Sequence, residues 1–134
     1  MNHFVIASGP VIVEDGKVLL NKHGEPPLKW KFCGGRVETM EHDLREAARR
    51  EAREEIGVEL ELEDQPPFLM YTSKPSPEGT VDVLLVRWLA KRVGDIKPGE
   101  DIEEVKWLDL ATIADQTDLS PNILPTLKHF GFIA

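Results

Sequence analysis

Glu51, Glu54 and Glu55 stand at i, i+3 and i+4 within the stretch RREAREEIG, Arg49 to Gly57. At about 100° per residue they gather on one side of a helix, with Glu51 and Glu55 at the border of its apolar stripe. Like charges at this spacing repel by a few tenths of a kcal/mol per pair. The partial negative charge at a helix C-terminus disfavours them further. One explanation is a salt-bridge-laced, solvated face, with Glu46–Arg50 and Arg50–Glu54 as i, i+4 pairs. That accounts for the arginines better than for the three glutamates. The other is a set of oxygen ligands for Mg²⁺ or Mn²⁺ beside the Gly34-Gly35 turn. Mg²⁺ takes one or two carboxylates and completes its shell with water and substrate phosphates.

The elements that must hold these residues are legible in outline. Leu44, Ala48, Ala52 and Ile56, with Ala47 beside them, form an apolar stripe over Asp43 to Ile56. Asp43-Leu44-Arg45-Glu46 resembles a capping box, and Gly57 is a natural C-cap. Upstream, VIVEDGKVLL carries an Asp15-Gly16 hairpin turn. Pro26 and Pro27 block a helix, and Leu28, Trp30 and Phe32 alternate as a strand would. Downstream, VELELED, FLMYTSK, TVDVLLVRWLAKRV and EVKWLDL read as strands, with PSPEG and GDIKPGEDIEE as loops. ATIADQ and SPNILPTLKHFGF suggest short helices, the second entered through Ser120-Pro121. Strands, helix, strands, helices make a mixed α/β domain with one central helix on a sheet.

The chain of 134 residues is one domain's length, 1–134, without an internal linker or repeat. Its net charge of −8 argues against binding a nucleic acid polymer, which needs a basic face, but not against a small nucleotide. The lone Cys33 has no disulfide partner, the chain opens without a charged-then-apolar signal segment, and no apolar run is long enough for a membrane span. These features predict a cytoplasmic protein without a membrane anchor.

GGRVETMEHDLREAARREAREEIGV, Gly34 to Val58, resembles the Nudix box of the MutT-like Nudix hydrolases. That signature runs Gly, five residues, Glu, seven residues, Arg-Glu, an aliphatic residue, any residue, Glu-Glu, any residue, Gly, aliphatic. The second half matches from Arg50 to Val58, with Ala52 as a small apolar choice. The first half matches as Gly35 and Glu41, but eight residues separate Glu41 from Arg50, one more than in the signature. Cys33 and Met40 stand where proline and glycine are common. The helix cap at Asp43 places the extra residue in the loop between Glu38 and Asp43, with His42 the addition. The upstream hairpin, Trp30 and Phe32, and IEEVKWLDL extend the resemblance along the chain.

The resemblance implies an α/β Nudix fold, a mixed sheet sandwiched between helices, and metal-dependent cleavage of a pyrophosphate bond in a nucleotide. It implies Glu51, Glu54 and Glu55 as Mg²⁺ or Mn²⁺ ligands, with the Gly35 carbonyl, and a catalytic group of Glu51, Glu54 and Arg50. Arg50 would orient a glutamate, with Glu38 its partner, and Arg36, Glu38 and Glu41 would face the substrate. The general base is Glu51 or a carboxylate of the polar loop, Glu100, Asp101, Glu103 or Glu104; these last also read as a solvated acidic loop. His23 and His129 have no motif around them, and His42 reads as an exposed loop residue. Cys33 reads as a small buried hydrophobe and Trp30, Trp88 and Trp107 as core; Phe68 and Tyr71 are candidates for stacking on a nucleobase. Nucleoside triphosphates are the expected substrate class. ADP-ribose or a nucleotide sugar, and a Nudix-fold module that binds a nucleotide without cleaving it, are the alternatives. Small domains of this kind often pair, so a homodimer is also an open expectation.

Overall fold

The computed structural model describes residues 3–26 and 28–134. Pro27, expected to act with Pro26 as a helix block, lies outside them. The strands are β1 (His3–Glu14), β2 (Lys17–His23), β3 (Gly35–Arg36), β4 (Glu59–Leu62), β5 (Phe68–Ser76), β6 (Gly79–Val93) and β7 (Ile102–Asp109). The helices are α1 (Leu44–Ile56) and α2 (Ile123–His129), preceded by a 3-10 turn at Ile113–Asp115.

β1 is the spine of a mixed sheet ordered β4-β6-β1-β2-β7, with β3 on β1 and β5 on β6. It runs parallel to β6 from His3↔Val81 to Ile12↔Ala90, then turns through Asp15-Gly16 into antiparallel β2. Asp15 and Gly16 both have positive φ, 50° and 76°, as a tight hairpin turn requires. β5 and β4 pair antiparallel with successive halves of β6. The β5–β6 turn is tighter than the expected PSPEG loop, because Pro75 and Ser76 already pair with Thr80 and Gly79.

Alternation along the strands feeds two cores. Val11, Val18 and Leu20 face one side with Trp30, Phe32, Leu108, Ile113, Ile123 and Leu127, beneath α2. Ile12 and Leu19 face the other with Ala48, Ala52, Ile56 and Ala90, beneath α1. Period-two strands between helices thus produce the expected sandwich. The stretch expected to be a strand at Leu28 to Phe32 is irregular. Trp30 and Phe32 are buried and Leu28 is exposed, with only isolated bridges Asn21↔Lys31 and Trp30↔Leu119. Its backbone bonds are split between Asn21 of β2 on one side and Asp118 and Ser120 on the other, so no continuous ladder forms.

Candidate active site

Helix α1 starts where the sequence places it. Asp43 is extended and its carboxylate accepts from the Arg45 N–H. The reciprocal half of the capping box is absent, because Glu46 turns to Arg49. Glu46 therefore does not pair with Arg50, contrary to expectation. Arg50 instead forks onto Glu41, with Nε donating to Oε2 at 2.8 Å and Nη2 to Oε1 at 3.0 Å. Its Nη1 donates to Glu51 Oε1 at 2.9 Å and Glu54 Oε2 at 3.1 Å, and Nη2 also donates to the Arg36 carbonyl at 3.0 Å. Glu38, the expected partner, also pairs with Arg50, at 3.5 Å and from an exposed position, so its contact is the looser one. The Glu38 N–H donates to Glu41 Oε1 and the Glu41 N–H to the Glu38 carbonyl, which closes a turn that carries Glu41 to Arg50. The longer loop thus still delivers its glutamate. This bonding holds the Glu41 carboxyl below the usual range and raises Arg50 further, the Glu41 bond being the largest cause.

Glu51 and Glu55 project inward beside the cores, each exposing less than a tenth of its surface. Glu55 Oε1 accepts from the Gly34 N–H at 2.9 Å. A Cβ on Gly35 would lie 2.7 Å from Glu51 Oε1, so the Gly-Gly turn lets the backbone approach both carboxylates. Burial pushes Glu55 up to about 7, and the nearby Glu51 charge adds to the rise while the Gly34 N–H opposes it. Burial raises Glu51 too, against the pull of Arg50. Glu54 is exposed on the same side. Among the described residues, no three His, Cys, Asp or Glu side chains come together closely enough to hold a metal ion by themselves. What the helix presents is an open edge of hard oxygen donors, part of whose charge Arg50 compensates.

The helix end is also capped from outside. Gly57 takes a left-handed φ of 69°, and the Lys97 and Gly99 N–H groups donate to the Ile56 and Glu55 carbonyls. A Cβ on Gly99 would meet the Glu54 carbonyl at 2.2 Å, so this close docking needs glycine. The same loop brings Glu100 and Asp101, and the start of β7 brings Glu103, to a cleft of about 490 Å³ shared with His23, Gly24 and Glu25. Glu104 does not line that cleft; it is exposed opposite Lys22 in the β2–β7 ladder. His23 links the cleft to the helix, its Nε2 lying 3.4 Å from Glu55 Oε2. Burial and Lys31 lower the His23 pKa. No sequence motif marks His23; only β2's position opposite α1 reveals it.

The NUDIX domain profile matches residues 3–130. The chain belongs to the Nudix hydrolase family. As such it is an enzyme of the class acting on phosphorus-containing acid anhydrides. It is 32% identical to the nucleoside triphosphatase NudI of Escherichia coli O81 and 29% identical to that of Klebsiella pneumoniae, in each case over 92% of this chain and 94% of the relative. The crystal structure of a MutT NUDIX hydrolase from Burkholderia pseudomallei superposes with a TM-score of 0.76 at 25% identity, covering 94% of this chain and 97% of that one. No helix of the described residues is long and apolar enough to cross a membrane.

The Nudix box therefore has its glutamates in two settings, Glu51 and Glu55 buried and Glu54 at the surface. Arg36 is exposed, with its carbonyl committed to Arg50. His42 is exposed and Cys33 is buried, as the residue types suggest. Of the tryptophans, Trp30 is buried, while Trp88 and Trp107 pack partly buried against the α1 core. Phe68 lies against His129, ring centroids 4.7 Å apart, and Tyr71 is exposed.

Proposed function

We propose that this Nudix hydrolase is a Mg²⁺- or Mn²⁺-dependent pyrophosphohydrolase of nucleoside triphosphates, acting as a single domain. The observation that carries the metal reading is the pair of buried carboxylates, Glu51 and Glu55, beside the Gly34-Gly35 backbone with exposed Glu54 next to them. Burial penalises two neighbouring negative charges, and an oxygen-seeking divalent cation relieves that penalty. The substrate class is supported by the resemblance to nucleoside triphosphatases along 92% of the chain.

In this reading Glu51, Glu54, Glu55 and the Gly35 carbonyl would hold the metal. When bound, the cation neutralises charge on the pyrophosphate oxygens and makes a water nucleophilic near neutral pH. Arg50, locked by Glu41, keeps Glu51 and Glu54 from splaying apart, so the site is organised before substrate arrives. Arg36 and Glu38, both exposed on the entering loop, are the substrate-facing pair. Glu100, Asp101 and Glu103 line the adjoining cleft and are the candidate second bases in this reading; Glu104 lies outside that lining.

The test is a turnover screen over nucleoside triphosphates, ADP-ribose and nucleotide sugars with Mg²⁺ or Mn²⁺, with identification of products. Triphosphate turnover lost on chelation and reduced by Glu54→Gln is the expected result. Turnover of ADP-ribose or a nucleotide sugar alone would replace the substrate assignment. Tight nucleotide binding with no turnover would replace the catalytic reading by a binding module.

A further inference from the structure

Arg87 lies in the middle of β6 and exposes 6% of its surface. Its Nη1 donates to the Cys33 carbonyl at 3.3 Å, its Nε has no partner among the described residues, and its guanidinium sits 5.3 Å from the Phe32 ring centroid. Burial lowers its pKa to about 10. A half-satisfied buried guanidinium is costly, and replacing such a group by an apolar one of similar volume often stabilises a fold.

The register shows what it does. Arg87 pairs with Gly9 in the parallel β1–β6 ladder. Gly9 has no side chain to fill the sheet face, and the Cys33–Gly34 peptide lies there instead: a Cβ on Gly9 would be 2.0 Å from the Cys33 carbonyl oxygen and 2.7 Å from Gly34 Cα. This single peptide group is gripped at both ends. Its C=O accepts from Arg87, and its N–H donates to Glu55 Oε1 at 2.9 Å. Donation to the carbonyl polarises the peptide and strengthens its N–H as a donor.

We infer that Arg87 is a positioning residue that acts through the Cys33–Gly34 peptide to orient the Glu55 carboxylate. It lies on a different strand from the Nudix box, beside Gly34, and its charge is also felt at Glu55, a through-space effect that Arg87→Lys retains. Its role in catalysis rests on the metal-site reading above; its coupling to Glu55 does not.

Arg87→Met keeps the apolar length and removes the donors, and Arg87→Lys keeps the charge without the planar fork. Both are compared with the parent and with Glu55→Gln in the full chain. Metal-free protein is read first, by Gly34 amide hydrogen exchange and by the ¹³C shift of the Glu55 carboxyl. Mn²⁺ affinity by paramagnetic resonance and thermal unfolding follow. Arg87→Met is expected to melt at or above the parent temperature while the Gly34 amide exchanges about 10-fold faster and the Glu55 carboxyl shift moves. Mn²⁺ affinity is expected to fall by about 10-fold or more, the usual effect of losing a partner that orients a ligand, with Arg87→Lys intermediate. Unchanged Gly34 exchange, or a fall in affinity that only tracks a fall in melting temperature, overturns the inference. If Arg87→Met does not fold, the same Gly34 readout on Arg87→Lys decides it. If Glu55→Gln leaves Mn²⁺ affinity intact, the metal reading fails, and the Gly34 and Glu55 shifts still test the coupling.

Discussion

At the scale of single residues, Arg50 and Glu55 carry the sharpest expectations. Arg50 gathers Glu41, Glu51 and Glu54 around one guanidinium. Glu41→Ala removes two charge-assisted bonds from a pair that is mostly shielded from solvent. It should cost roughly 1.5–3 kcal/mol, measured by urea unfolding, and lower kcat through a freed Arg50. Glu38→Ala should do neither to the same extent, since Glu38 stands at 3.5 Å and is exposed. Glu55 gives a pH dependence of definite sign. Its folded pKa of about 7 lies above the ordinary 4.5, so the native state holds its proton more tightly than the unfolded chain. That contribution is fully present below about pH 4.5 and is lost as pH rises through about 7, an effect of up to about 3 kcal/mol. Chelator-treated protein should therefore lose thermal stability from this group between about pH 5 and 8, and Glu55→Gln should flatten that slope.

At the scale of elements, the decisive contact is between the end of α1 and the loop before β7. The opposing helix dipole is met by Gly57 in left-handed conformation and by the Lys97 and Gly99 amides. Gly57→Ala forces a Cβ into that conformation and 3.0 Å from Lys97, so it should cost at least about 1–2 kcal/mol in urea unfolding. A second joint lies where β1 passes beneath the Gly-Gly turn. Gly9→Ala puts a methyl into the Cys33 carbonyl and should cost about 1–3 kcal/mol. It should also weaken Mn²⁺ binding measured by calorimetry, because the displaced peptide carries the Gly34 N–H that Glu55 accepts.

At the scale of the whole molecule, a protein of net charge −8 concentrates two buried carboxylates where its backbone least favours them. Those buried charges subtract from stability, and on the proposed metal reading a bound cation should return it. Mg²⁺ at about 100 times its Kd should stabilise the fold by about 2.7 kcal/mol. The combined change of Glu51, Glu54 and Glu55 to glutamine should abolish that shift while raising the metal-free melting temperature.

The sequence by itself determined the helix and its register. Asp43, the apolar stripe and Gly57 are local signals, and local backbone physics places them without help from the rest of the chain. It likewise determined the Asp15-Gly16 hairpin, the alternating strands and the box glutamates. Tertiary structure alone decided who partners whom. Arg50 holds Glu41 more closely than Glu38 because a turn in a loop folds one glutamate back and leaves the other exposed, a choice no helical spacing encodes. Leu28 to Phe32 alternates like a strand but remains irregular, since pairing depends on which edge is free. His23 and Arg87 are unremarkable in the chain and meaningful only across β2–α1 and β6–β1. They reach Glu55 through distances in space between residues 32 and 54 positions apart, for which periodicity has no signal.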